Sequence, residues 1–176
     1  MERRRPRRLE RVLFAGGGTG GHLFPGIALA RHLGIEVFFL CTERTFDRVQ
    51  LEKEKLPFEA LPSPRLSPQF PVKFGRACAR SARLLQKFRP DVVVGLGGYG
   101  TVPPVAAATA MGIPFVLLEQ NVIPGRANRF LAAFADTIAV TFADTKDYLK
   151  KQAGKVVLTG NPLRGELKRI EKAEAS

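Results

Sequence analysis

The sequence is poor in the residues that build metal sites and disulfide frameworks. Of 176 residues, only two are cysteine and two are histidine. Cys41 and Cys78 have no metal-like spacing, which excludes a zinc ribbon or a disulfide scaffold and fits a reducing compartment. No metal cluster is legible. Long hydrophobic runs are also missing. One uncharged stretch, Gly95 to Leu118, is broken by Pro103, Pro104, Pro114 and several glycines. It therefore reads as loop, helix and strand, not as a membrane span. Val12 to Ala15 is too short for the apolar segment of a signal peptide, so none is expected.

Negative charge is scarce as well. Lys and Arg number 28 against 16 Asp and Glu, a formal charge of +12. Residues 1–11, MERRRPRRLER, hold six Arg against two Glu. This arm is polar, lacks apolar periodicity and is expected to be mobile. It reads as a solvated tail or as a patch drawn to anionic lipid. Nucleic acid ranks below both, because no finger, helix-turn-helix or aromatic–basic interleaving accompanies the charge.

What is present is apolar and regularly punctuated. At 45% hydrophobic content the chain can bury one good core. The expected organisation is a basic arm (1–11), one domain (12–164), and a polar tail or the start of a linker (165–176). Val12–Ala15 reads as a buried strand, and His22–Leu33 as a helix. Between them lie Gly16, Gly17, Gly18, Thr19, Gly20 and Gly21. A strand, a glycine turn and a helix form the context of a phosphate-binding loop. Without side chains the backbone can approach an anion, and the N–H groups of a helix start point at it. The bland alternative is a tight turn without a ligand. His22 falls on the first helical turn, where the positive dipole end disfavours the imidazolium. It reads either as structural or as a neutral ring able to accept a proton.

Further strands are expected at 36–42, 58–61, 91–96, 114–119, 137–141 and 156–159. Helices are expected between them at 45–56 (apolar side Phe46, Val49 and Leu56), 74–88, 103–111, 125–135 and 143–153. Ser63 to Phe74 carries Pro64, Pro68 and Pro71 and reads as a long loop. Its apolar residues, interleaved with Arg65 and Lys73, suit either a membrane surface or packing onto the domain. Arg76, Arg80, Arg83 and Lys87 make one face of the following helix cationic.

Strands alternating with helices argue an α/β fold with a doubly wound, mainly parallel, Rossmann-like sheet. Such sheets bind ligands beyond the carboxyl ends of their strands. Four polar or glycine-rich clusters fall at those ends: Gly16 to His22, Gly97 to Thr101, Glu119 to Asn121, and Gly160 to Arg164. Each has a bland alternative: a simple turn with Tyr99 at its rim, a cap by Glu119 or Asn121, a solvated Arg164.

The same clusters resemble the MurG family of bacterial peptidoglycan glycosyltransferases. The matching stretches are GGGTGGHLFPGIALA (16–30), PDVVVGLGGYGTVP (90–103), GIPFVLLEQNVIPGRANRFLA (112–132) and TGNPLR (159–164). The resemblance implies the N-terminal, acceptor-binding half of a two-domain GT-B enzyme. Such an enzyme moves N-acetylglucosamine from UDP-GlcNAc to lipid I, giving lipid II with inversion, at the cytoplasmic face of the plasma membrane. It implies donor contacts at Thr19, Gly20, Gly21, Asn121 and Arg164, and an acceptor diphosphate facing the loop Gly16–Gly18. Tyr99 is implied at the acceptor, and His22 or Glu119 as the base. It implies no cofactor, no metal and an anionic membrane surface as partner. Leu118 departs from the family, which often has His there. The family also continues past Arg164 into a donor-binding domain. The expectation is that this chain is inactive alone and needs such a domain in cis or in trans. Two other readings stay open. One is an NAD-dependent oxidoreductase, with Glu43 at a ribose. The other is a non-catalytic membrane-associated subunit of a split glycosyltransferase.

Overall fold

The computed structural model describes residues 8–62 and 70–162. The basic arm up to residue 7, most of the proline-rich stretch, and Arg164 with the tail lie outside the described residues. Strands are β1 (Arg11–Gly16), β2 (Glu36–Thr42), β3 (Phe58–Leu61), β4 (Val92–Gly97), β5 (Phe115–Glu119), β6 (Thr137–Val140) and β7 (Val156–Leu158). Helices are α1 (Gly20–Leu33), α2 (Thr45–Lys53), α3 (Phe70–Phe88), α4 (Val102–Ala110), α5 (Arg126–Leu131) and α6 (Thr145–Tyr148). The strands form one sheet of order β3-β2-β1-β4-β5-β6-β7 with every pairing parallel. The chain leaves β1 in one direction and returns to its other side at β4. Ligands of doubly wound sheets collect at such a reversal.

Both faces of the central strands are buried, so their sequences carry no polar alternation. Along β1, Leu13 and Ala15 enter one core with Leu85 of α3, Val105 of α4 and Leu131 of α5. Val12 and Phe14 enter the other with Leu23 and Ile27 of α1 and Leu51 of α2. Phe14 stacks on Phe39 across the β1–β2 pair at 4.8 Å between ring centroids. Gly26 lets α1 approach β4 closely. A Cβ there would lie 2.6 Å from a methyl of Leu96, which is fully buried.

Several expectations need correcting. Helix α1 starts at Gly20, so Gly20 and Gly21 are its first turn and not free loop. The apolar side expected for 45–56 is wrong: Phe46 and Val49 are 39% and 49% exposed, while Asp47 and Leu51 are buried. Helix α3 begins at Phe70, inside the stretch expected to be loop, with Pro71 in its first turn, where a missing N–H has no helical partner to lose. The helix expected at 125–135 stops at Leu131, and the one at 143–153 is a single α-turn followed by a 3-10 segment, Lys150–Lys155.

Gly26→Val tests the α1–β4 approach. Overpacking against Leu96 should destabilise the chain by about 1–3 kcal/mol, seen in urea as a lower midpoint with an unchanged slope. An unchanged midpoint would show that Leu96 yields freely.

Candidate functional site

Two glycine turns meet at the ends of β1 and β4. Gly16 and Gly97 have φ +120° and +99°, which favour glycine. A Cβ on Gly16 would lie 2.8 Å from the Gly97 carbonyl oxygen, so the two backbones touch directly. The buried Thr101 hydroxyl ties them together, shared between the carbonyls of Ala15 (3.1 Å) and Gly97 (2.8 Å).

The first turn carries its own anion. Asp47, buried on α2, accepts the Gly18 N–H at 2.9 and 2.8 Å from its two oxygens. It also accepts the Thr42 hydroxyl at 2.5 Å and the Thr42 N–H at 3.2 Å. A loop amide offered to phosphate by the sequence is thus already taken by a carboxylate. Among the loop residues, Gly20 and Gly21, at the start of α1, remain positioned to point N–H groups at an anion.

Thr19 is the cap residue of α1 but makes no side-chain cap. Its Oγ1 instead meets Nδ1 of His22 at 2.9 Å. In the tautomer whose Nδ1–H donates to Thr19, Nε2 keeps a free lone pair. Burial pushes the His22 pKa below the ordinary imidazole value, while the negative charges of Glu119 and Asp47 pull it partly back. The ring edge reaches the second turn: a Cβ on Gly97 would lie 3.0 Å from His22 Cδ2 and 3.0 Å from both amide atoms of Asn128.

Asn128, buried on α5, leads on to Glu119. Its Nδ2 donates to Glu119 Oε2 at 2.8 Å. The other oxygen, Oε1, accepts from the Asn121 N–H at 2.8 Å and Asn121 Nδ2 at 3.1 Å. Glu119 is therefore a buried hub with both oxygens engaged. His22 is only partly buried, with one ring nitrogen uncommitted to protein. Tyr99 stands at the rim, 65% exposed, in the 3-10 turn Tyr99–Thr101. Gly160 and Asn161 lie further along the rim and share a groove of about 230 Å³ with Leu118, Glu119 and Gln120. The amide atoms of Gln120 are buried there without a hydrogen-bond partner.

The structure thus brings together Gly16–Gly18, Thr19, Gly20, Gly21, His22, Tyr99, Glu119 and Asn121 on one rim. Arg164 lies outside the described residues. Sequence reasoning missed Asn128, Asp47 and Thr101. Asn128 had a faint signal, a poor helix former inside a helical stretch. Asp47 had none, because its partner Gly18 is 29 residues away. Among the described residues, no group of three His, Cys, Asp or Glu could hold a metal ion.

A parallel sheet with paired glycine turns, a partly buried His and an amide-held Glu at its switch point defines a Rossmann-like half of the GT-B kind. The comparisons make that specific. Residues 12–140 match the glycosyltransferase family 28 N-terminal domain, and the chain belongs to that family. The UDP-N-acetylglucosamine--N-acetylmuramyl-(pentapeptide) pyrophosphoryl-undecaprenol N-acetylglucosamine transferase of Caldanaerobacter subterraneus is 38% identical, over 93% of this chain and 48% of its own. The same-named protein of Bacillus subtilis is 34% identical, over 92% and 47%. Acinetobacter baumannii MurG superposes with a TM-score of 0.76 at 29% identity, over 89% of this chain and 46% of its own. The UDP-GlcNAc 2-epimerase of Neisseria meningitidis shares the fold alone, with a TM-score of 0.65 at 17% identity. The chain spans about half the length of these relatives. Family membership sets aside the nicotinamide-cofactor alternative.

The His22 environment has a measurable consequence. Its folded-state pKa lies below the unfolded value of about 6.5. The stability this ring contributes is present above pH 6.5 and is lost as pH falls through the folded value. An NMR titration of the ring should give a midpoint below 6.5; a midpoint above it would place His22 in solvent or beside a dominant carboxylate.

Proposed function

We propose that this chain is the acceptor-binding half of an inverting glycosyltransferase. The reaction moves N-acetylglucosamine from UDP-GlcNAc to a polyprenyl-diphosphate-linked muramoyl sugar, converting lipid I to lipid II. The observation that carries the reading is the continuous chain of contacts from Thr19 through His22 and the Gly97 turn to Asn128 and Glu119. In this reading one rim carries both a proton acceptor, His22, and the first-turn amides of α1. The printed names of the relatives supply the substrate class.

In this reading His22 Nε2 takes the proton of the acceptor hydroxyl while Nδ1–H is held by Thr19. The hydroxyl oxygen bonds to sugar C1 as the bond from C1 to the UDP oxygen breaks, through a transition state with oxocarbenium character. Glu119 holds Asn121 and Asn128 in place. Its engaged oxygens make it the weaker of the two base candidates. Gly20 and Gly21 face phosphate, Tyr99 lines the acceptor side, and Asn121 and Arg164 face the donor. In the two-domain enzymes that the chain resembles, the donor's nucleotide is held by the second domain.

Peripheral membrane attachment is part of the proposal. No helix among the described residues is long and apolar enough to cross a membrane. Phe130 and Phe134 on and after α5 pair at 5.3 Å and are 56% and 45% exposed, beside Arg126 and Arg129. Exposed aromatics next to cations suit an anionic lipid surface.

In the complete two-domain protein, His22→Ala should lower kcat by about 10²- to 10⁴-fold with thermal stability little changed. Wild-type turnover would remove His22 from the chemistry. For the membrane, Phe130→Ser with Phe134→Ser should weaken co-sedimentation with phosphatidylglycerol vesicles, and raised salt should weaken it further. Undiminished binding would move the contact elsewhere.

A further inference from the structure

The N-terminal end of helix α2 meets the rim, and its cap residue and first turn grip Gly18 from both sides, one on each of the two peptide units that flank its Cα. Asp47, on the first turn, accepts the Gly18 N–H. Arg44, the cap residue, donates from Nη1 to the Gly18 carbonyl at 2.6 Å. Gly18 has φ +90°, so the residue is held in a conformation that glycine alone adopts cheaply. The next residue is Thr19, extended at φ −147° and ψ 154°, whose hydroxyl meets His22. Fixing Gly18 therefore fixes the group that orients the imidazole.

Asp47 differs from an ordinary capping acid in being fully buried and, among the described residues, in having no cation bonded to its carboxylate. Its donors are two backbone N–H groups and one hydroxyl, all neutral. A buried carboxylate held by neutral donors keeps its charge available to a neighbour, because little solvent screens it. Among the described residues, the charged groups that act on His22 are Glu119 at the end of β5 and Asp47 at the start of α2, with Arg44 on the nearby Gly18 carbonyl. The turn Tyr99–Thr101 presents no carboxylate or cation, and α5 presents the neutral Asn128.

We propose that Arg44 and Asp47 are positioning residues that clamp Gly18 through the peptide units on either side of it, setting Thr19 and His22 in register, and that the Asp47 carboxylate stabilises the imidazolium formed when His22 accepts a proton. This rests on the reading of His22 as the base. The role resembles that of a base-orienting carboxylate, but it acts through a backbone amide and a hydroxyl, not by touching the ring.

The test needs no turnover, because the chain has only two histidines, His22 and His32. In a His32→Gln background, the His22 ring resonance reports its titration alone. Asp47→Asn keeps the size of the side chain and removes the charge, and should lower the His22 midpoint by several tenths of a pH unit. A folded Asp47→Asn chain with the wild-type midpoint overturns the electrostatic role. Hydrogen exchange at the Gly18 amide tests the clamp itself. In the wild type this amide should exchange at least tenfold more slowly than an unprotected glycine, and Arg44→Gln, a change at the surface, should speed it several-fold. Exchange at the unprotected rate in the wild type, or no response to Arg44→Gln, overturns the clamp even if Asp47→Asn fails to fold. These readouts fail separately from the turnover of His22→Ala. A proven clamp beside a fully active His22→Ala enzyme would reject the base and keep the clamp.

Discussion

Everything at this rim depends on two backbone turns that meet with no side chain between them. The Gly16 and Gly97 turns lie against each other at the ends of adjacent strands, and Thr101 bridges the carbonyls behind them. Any larger residue at either position would separate β1 from β4 at the point where the sheet changes direction. That separation would move the His22 ring away from Asn128, and with it the link to Glu119. The parallel sheet supplies the strand ends, and the absence of Cβ atoms lets them close into one surface.

Charge at this surface is arranged with little excess. Asp47 and Glu119 are both buried, and both are met by neutral donors. Desolvation of a carboxylate is costly unless its oxygens are bonded, and here every carboxylate oxygen has a partner. His22 lies between the two acids, and burial holds it neutral at pH 7. The two anions offset part of the desolvation penalty the ring meets on accepting a proton, although burial remains the larger effect. Among the described residues, exposed cations gather away from this site on α3 and α5, where they suit an anionic surface.

The layer architecture was legible because it rests on local signals. Apolar runs without alternation mark strands buried on both faces, and glycine clusters mark their carboxyl ends. The site's existence followed from those clusters alone, and their identity with a known family followed from four short stretches. The second layer of the site was not legible. Phe46 and Val49 look like the inner side of α2 by spacing, yet the buried residues are Leu51 and, unexpectedly, Asp47. Its partners, Gly18 and Thr42, lie on two other segments, so no periodicity announces it. Glu119 was legible as a candidate base, but the engagement of both its oxygens by Asn121 and Asn128 was not. Helix starts were misplaced where glycine and proline were read only as breakers. Gly20 and Pro71 both lie in first turns, where neither residue is disruptive.

The central claim is that His22 is the proton acceptor in sugar transfer. The most direct measurement is the pH dependence of kcat/KM for GlcNAc transfer by the complete two-domain protein, set beside the NMR titration of His22 in the same protein. The two should coincide: activity should fall on the acid side with an apparent pKa equal to the His22 midpoint, below 6.5. An acid limb displaced from that midpoint by more than a pH unit, or one that persists unchanged in His22→Ala, would contradict the assignment.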